Sequence, residues 1–159
     1  MPGESEVILN AKSGSQKSDE ARAASERGFG ESGRAFQITT APGEQLGGIT
    51  QERAIKDCEV LVAAGGDGTI CCVAEAALKH GNTLGVIPLG TFNYFAKNLS
   101  IPLEPEAAAR VILEGNTVRA PILDLNGRLI LTNTDIVIHP SVLLTRRQVY
   151  RLWGPNHIL

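Results

Sequence analysis

Five consecutive residues in the middle of the chain, Gly65-Gly66-Asp67-Gly68-Thr69, have the make-up of a phosphate-binding turn. Three glycines in four positions remove the Cβ atoms that would hold a ligand off the backbone, and they admit positive φ at no steric cost. A helix opening at about Thr69 would aim unpaired N–H groups, and the positive end of its dipole, at the same point. Asp67 is the odd member, because a bare carboxylate repels phosphate. It suits such a site if a divalent cation lies between the two, or if it orients the hydroxyl that accepts a phosphoryl group, which makes it the candidate catalytic residue. Thr69 can cap the helix, contact a phosphate, or do both. The plain alternative is a strand-to-helix turn in which Asp67 is no more than a cap. The string is not a Walker A loop, since no Gly-Lys-Ser/Thr follows, and it does not fit the GxGxxG dinucleotide pattern.

A turn of this kind needs a strand before it and a helix behind it, and the sequence supplies both. Glu59 to Ala64 is a continuous apolar run of the sort buried on both faces of a parallel sheet, and Ile70 to Lys79 has helical composition. Earlier in the chain, Val7-Ile8-Leu9-Asn10 reads as a strand feeding the turn Lys12-Ser13-Gly14-Ser15. Ser18-Asp19-Glu20 then precede a helix over Ala21 to Arg27, ended by Gly28, Gly30 and Gly33. Phe36 to Thr40 alternates as a strand does, Pro42-Gly43 breaks it, and a polar helix is expected from Gly48 to Lys56. Thr83 to Pro88 is a further strand, followed by Leu89-Gly90-Thr91, a short helix over Phe92 to Leu99, and a helix from Pro105 through Glu114. After Gly115 the alternation stops. Val118 to Leu123, Arg128 to Thr132 and Asp135 to Ile138 read as strands, with Asn126-Gly127 as a hairpin turn.

The fold class that follows is α/β: a Rossmann-like doubly wound, mostly parallel sheet carrying a GGDGT phosphate loop, plus the first strands of a truncated β-rich second domain. The expected organisation is a flexible N-terminal tail over 1–6, a nucleotide-binding domain over 7–116 and the start of the second domain over 117–159.

Composition narrows the function classes. Of 159 residues 43% are hydrophobic and only 4% aromatic, which favours layered α/β packing. The formal charge of −2 leaves no electrostatic footprint for nucleic acid. Cys58, Cys71 and Cys72, without a signal peptide, point to free thiols in a reducing compartment. No apolar run reaches the roughly 18 residues that span a bilayer, so a cytoplasmic protein with at most peripheral contact at the inner membrane surface is expected. His80, His139 and His157 fit no metal-site spacing. The basic stretch Thr145 to Arg151 is read as a solvated surface, with anionic lipid headgroups as the alternative.

The glycine turn, the Ile8-to-Ser15 segment and the segment Ile87-Pro88-Leu89-Gly90-Thr91-Phe92-Asn93-Tyr94-Phe95-Ala96-Lys97 together resemble the diacylglycerol kinase catalytic family, bacterial members above all. Residues 8–15 look like the family's Asn-Pro-x-Ser-Gly turn with Ala11 in the proline place, and residues 88–97 resemble its PLGTxNDFAR segment. The resemblance implies ATP with Mg²⁺ as cofactors and transfer of the γ-phosphate to the hydroxyl of a lipid, diacylglycerol or a related acceptor. It also implies a nucleotide held by Gly65, Gly66, Asp67, Gly68 and Thr69, with Asn10, Ser13 and Gly14 on the facing loop and Thr40, Gly90, Thr91 and Asn93 beside it. Any metal contact would run from Asp67 through Mg-ATP. Tyr94 stands where the family has an acidic residue, and Cys71 and Cys72 replace its usual Asn and Glu. The family's β-sandwich domain, with its catalytic base and metal-binding acids, would lie beyond Leu159, so little turnover is expected from this chain alone. An NAD-kinase-like enzyme and a non-catalytic nucleotide-binding module are the competing readings. The NAD-kinase second motif is absent, and oligomeric state is not set by these residues.

Overall fold

The computed structural model describes residues 4–11, 15–54, 58–125 and 128–132. Strands β1 (Glu4–Asn10), β2 (Phe36–Ala41), β3 (Cys58–Gly65) and β4 (Thr83–Pro88) form one parallel sheet in the order β2-β1-β3-β4. Helix α1 (Ser15–Ser32) links β1 to β2, α2 (Leu46–Ala54) links β2 to β3, and α3 (Asp67–His80) links β3 to β4. The short α4 (Tyr94–Asn98) and α5 (Pro105–Glu114) follow. A two-stranded antiparallel sheet, β5 (Leu123–Leu125) with β6 (Arg128–Ile130), ends the described chain.

The sheet is buried on both faces, which is why its two central strands are near-continuous apolar runs. Val7 and Leu9 of β1, Val62 and Ala64 of β3 and Ile87 of β4 face α1 and α5, where they meet Ala21, Phe29, Ala108 and Ala109. Their alternates Ile8, Leu61, Ala63 and Val86 face α2 and α3 and pack on Leu46, Ile70, Val73 and Ala77. Each large side chain buried here contributes about 1.5–3 kcal/mol relative to exposure. The chain leaves β1 towards β2 on one side and returns to β3 on the other. The carboxyl ends of β1 and β3 therefore flank a topological switch point, the place where open α/β sheets bind ligands.

Several boundaries differ from the sequence expectation. β1 begins at Glu4, so residues 4–6 belong to the sheet and not to a tail; Ser5 and Glu6 pair with Phe36 and Gln37 on one side and with Val60 and Leu61 on the other. Glu6 is buried because its carboxylate accepts a hydrogen bond from Thr39 (2.6 Å) and faces Arg53 at 3.9 Å. α1 runs on through Gly28 and Gly30, which were expected to end it. Gly28 lets α5 approach, since a Cβ there would lie 3.3 Å from Leu113 Cδ1, and the left-handed Gly33 (φ +67°) follows the helix end instead. α2 begins at Leu46, two residues before the expected Gly48, while its expected end at Lys56 lies outside the described residues, and α3 starts at Asp67 rather than Thr69. Residues 118–122 form no strand; Pro121 cannot donate to a ladder there. The hairpin register Leu125↔Arg128 agrees with a two-residue turn, although Asn126 and Gly127 themselves, like the expected strand at 135–138 and the basic stretch, lie outside the described residues.

The β5–β6 hairpin rests on α3. Cys71 Sγ donates to the Leu129 carbonyl at 3.1 Å, and the Leu129 N–H donates to Glu75 Oε1 at 3.4 Å. All three thiols are held above their ordinary value of 9.0. Burial is the first cause in each, followed by Glu6 and Glu4 at Cys58, by Glu75 and Cys72 at Cys71, and by Glu75 at Cys72. A thiol that ionises later in the folded state than in the unfolded one contributes stability below the unfolded pKa and loses it as pH rises through the folded pKa. The melting temperature should therefore fall from about pH 9 upward, and the Cys71→Ser/Cys72→Ser variant should lose less over the same range. Equal alkaline losses in variant and parent would contradict this.

Candidate nucleotide site

The glycine turn lies at the carboxyl end of β3, as its sequence position requires. Gly66 is the N-cap of α3 in extended conformation, with no side-chain cap bond, and Asp67 is the first helical residue. Asp67 does not cap its own helix. Its Oδ1 accepts from the Phe95 N–H of α4 at 3.2 Å, so the carboxylate sits between the amino ends of two helices. Thr69, expected as a cap or phosphate contact, is buried within the first turn of α3, and its Oγ1 accepts from Asn10 Nδ2 at 2.9 Å. That bond ties the end of β1 to the start of α3 across the switch point.

The second turn is locked to the first. The Leu89 N–H donates to the Gly65 carbonyl at 2.8 Å. A Cβ on Gly90 would lie 2.7 Å from Gly66 Cα, and one on Gly65 would lie 2.5 Å from the Thr69 side chain, so neither position admits a larger residue without movement. Asn93 adopts the left-handed conformation (φ 52°) and both ends of its amide engage Gly90. Its Oδ1 accepts the Gly90 N–H and its Nδ2 donates to the Gly90 carbonyl, each at 2.9 Å. Asn93, expected beside the nucleotide, is buried and shapes the turn.

Gly68 is different. It is exposed, its φ lies outside the positive range, and a Cβ added there would meet nothing within 4 Å. Neither the backbone nor packing requires glycine at this position, and glycine inside a helix costs roughly 0.5–1 kcal/mol relative to alanine. A methyl there would stand in open space in the first turn of α3.

Of the remaining expected residues, Thr40 is exposed at the end of β2 and accepts from Arg22 Nη2 at 2.7 Å. Thr91 is exposed in the second turn, whereas Ser13 and Gly14 lie outside the described residues. Tyr94 and Phe92 are both exposed, at 43% and 60%, with their rings stacked 5.4 Å apart and 3° from parallel. The sequence reading missed Arg22, which comes from α1 and reaches the site only through the packing of that helix along the sheet. Among the described residues no group of three or more His, Cys, Asp or Glu could hold a metal ion by itself, so a cation here would need ligand oxygens in addition to Asp67. No helix among the described residues is long and apolar enough to cross a membrane.

A parallel α/β sheet with a glycine turn at its switch point, braced by a second turn from the next strand, defines a domain class whose ligand site faces the carboxyl ends of β1 and β3. Residues 5–125 match the diacylglycerol kinase catalytic domain model, and the chain belongs to that family. It is 37% identical over 98 residues to a diacylglycerol kinase of Staphylococcus saprophyticus, covering 58% of this chain and 32% of that protein. It is 40% identical over 83 residues to the one from Staphylococcus carnosus, covering 50% and 27%. The chain thus spans about a third of the length of these curated relatives. A solved diacylglycerol kinase structure from Bacillus anthracis superposes with a TM-score of 0.67 at 24% identity, over 81% of this chain and 46% of that one, a likeness of fold.

Proposed function

We propose that this chain is the nucleotide-binding part of an ATP-dependent lipid kinase, which transfers the γ-phosphate of ATP to the hydroxyl of diacylglycerol or a related lipid. The observation that carries the reading is Gly68, an exposed glycine that the chain's own structure does not need, in the first turn of α3, whose N–H groups have no intrahelical partners. The N–H groups of residues 66–69 would hold phosphate oxygens, helped by the helix dipole. Asn10 keeps Thr69 in place, and the Leu89–Gly65 bond with the Gly90–Asn93 brace keeps the turn from collapsing into the site. Bound Mg-ATP supplies the transferable phosphoryl group and neutralises its charge, with Asp67 as the protein oxygen available to the cation. The lipid acceptor would be met by peripheral contact at a membrane surface. The names of the curated relatives support the acceptor class.

Titration calorimetry of Mg-ATP into this chain tests the nucleotide half of the proposal. Saturable one-to-one binding is expected, competed by ADP. Heat no greater than dilution would overturn it. A second reading, a module that binds nucleotide without transfer, draws on Tyr94, whose phenol brings no negative charge to a position where the family motif has a carboxylate. Tight ATP binding by the full native protein without turnover on any lipid would favour it.

A further inference from the structure

We propose that Arg22 is a positioning residue of the nucleotide site, one that fixes the Thr40 hydroxyl as a hydrogen-bond donor towards the sugar end of the nucleotide. The inference rests on the nucleotide reading above. Arg22 Nη2 donates to Thr40 Oγ1 at 2.7 Å, and Nη1 lies 3.6 Å from Glu26 Oε1, one helical turn on. The ion pair and the hydrogen bond hold a half-exposed guanidinium over the carboxyl end of β2. A hydroxyl whose lone pair is taken by a cationic donor turns its own proton elsewhere. Among the described residues nothing accepts that proton, so Thr40 presents a donor to whatever occupies the space beyond the strand end. Thr69 accepts a side-chain donor in the same way, from Asn10, but it is buried, so of the two hydroxyls Thr40 is the exposed one.

The register sets the reach. Leu9 of β1 pairs with Thr40 on one side and with Ala64 on the other, which puts Thr40 two strand spacings, about 10 Å, from the glycine turn. That separation is on the order of the reach of a triphosphate chain laid from the turn towards β2. With phosphates at the turn, the β2 corner falls to the acceptor oxygens of the sugar.

The test compares Mg-ATP with magnesium tripolyphosphate, which has the phosphates without the nucleoside, in calorimetry on the full chain. Arg22→Met should weaken Mg-ATP about 10-fold or more, as loss of a charge-assisted hydrogen bond implies, and leave tripolyphosphate unchanged. Thr40→Val should cost a similar factor, and the double variant no more than the larger single loss, because Arg22 acts through Thr40. Unchanged melting of Arg22→Met in the absence of ligand keeps a folding defect out of the comparison. Equal ATP binding by parent and variant, additive losses, or an equal loss for tripolyphosphate would each overturn the inference while leaving the nucleotide site standing. Absence of ATP binding in the parent overturns both.

Discussion

Gly90→Ala and Gly68→Ala should move stability in opposite directions while both weaken nucleotide binding. At Gly90 the new methyl would stand 2.7 Å from Gly66 Cα and 2.7 Å from Asn93 Oδ1, a clash with backbone on one side and with the brace of its own turn on the other. Relief requires the two turns to part, against the Leu89–Gly65 hydrogen bond. Overpacking of this kind costs about 1–3 kcal/mol. At Gly68 the methyl meets nothing within the protein, and it removes the unfolded-state freedom that makes glycine unfavourable in a helix. A gain of roughly 0.5–1 kcal/mol is expected. If phosphates bind at this turn as proposed, the same methyl would stand in their way, and about a 10-fold or greater weakening of Mg-ATP should follow. Chemical denaturation and calorimetry on the two variants read these four effects. A Gly68→Ala protein that is stabilised and binds ATP as the parent does would remove the main support for the phosphate reading.

The pair also shows what could be read from the sequence. The run from Glu59 to Thr69 was legible because one buried strand, one glycine cluster and one helix start lie consecutively, and each has a local signature. Nothing local separates Gly90, whose absent side chain makes room for Gly66, from Gly68, whose absent side chain makes room for no part of the chain. Glycines 28 and 30 look like helix breakers in one dimension, yet Gly28 is a close-approach residue against Leu113 of α5, and α1 passes through both. Asn93 reads in sequence as a polar residue of the second turn, and nothing local announces its left-handed backbone or its paired bonds to Gly90. Arg22 sits 18 residues from Thr40 in sequence, and only the packing of α1 along β1 and β2 brings them together. Periodicity gives faces of elements, and contacts between ends of elements need the assembled sheet.

Asp67 separates structure from chemistry in one residue, and a pair of substitutions should divide its two roles. Asp67→Asn keeps an oxygen able to accept the Phe95 N–H, so α4 should stay docked and melting should change little. Asp67→Ala strands that N–H and should cost about 1–3 kcal/mol, the penalty of an unpaired donor out of water. For the ligand the order differs. A cation shared between phosphate oxygens and the carboxylate depends on the negative charge, which both variants lack. The parent should bind Mg-ATP more tightly than ATP in chelator, by about 10- to 100-fold, the range for interactions with charged groups. In both variants that magnesium dependence should collapse, while metal-free ATP should bind the asparagine variant as well as the parent or better, since a repulsive charge has gone. If Asp67→Asn keeps the full magnesium dependence, the carboxylate is a docking point for α4 and nothing more, and any cation must be held by oxygens elsewhere.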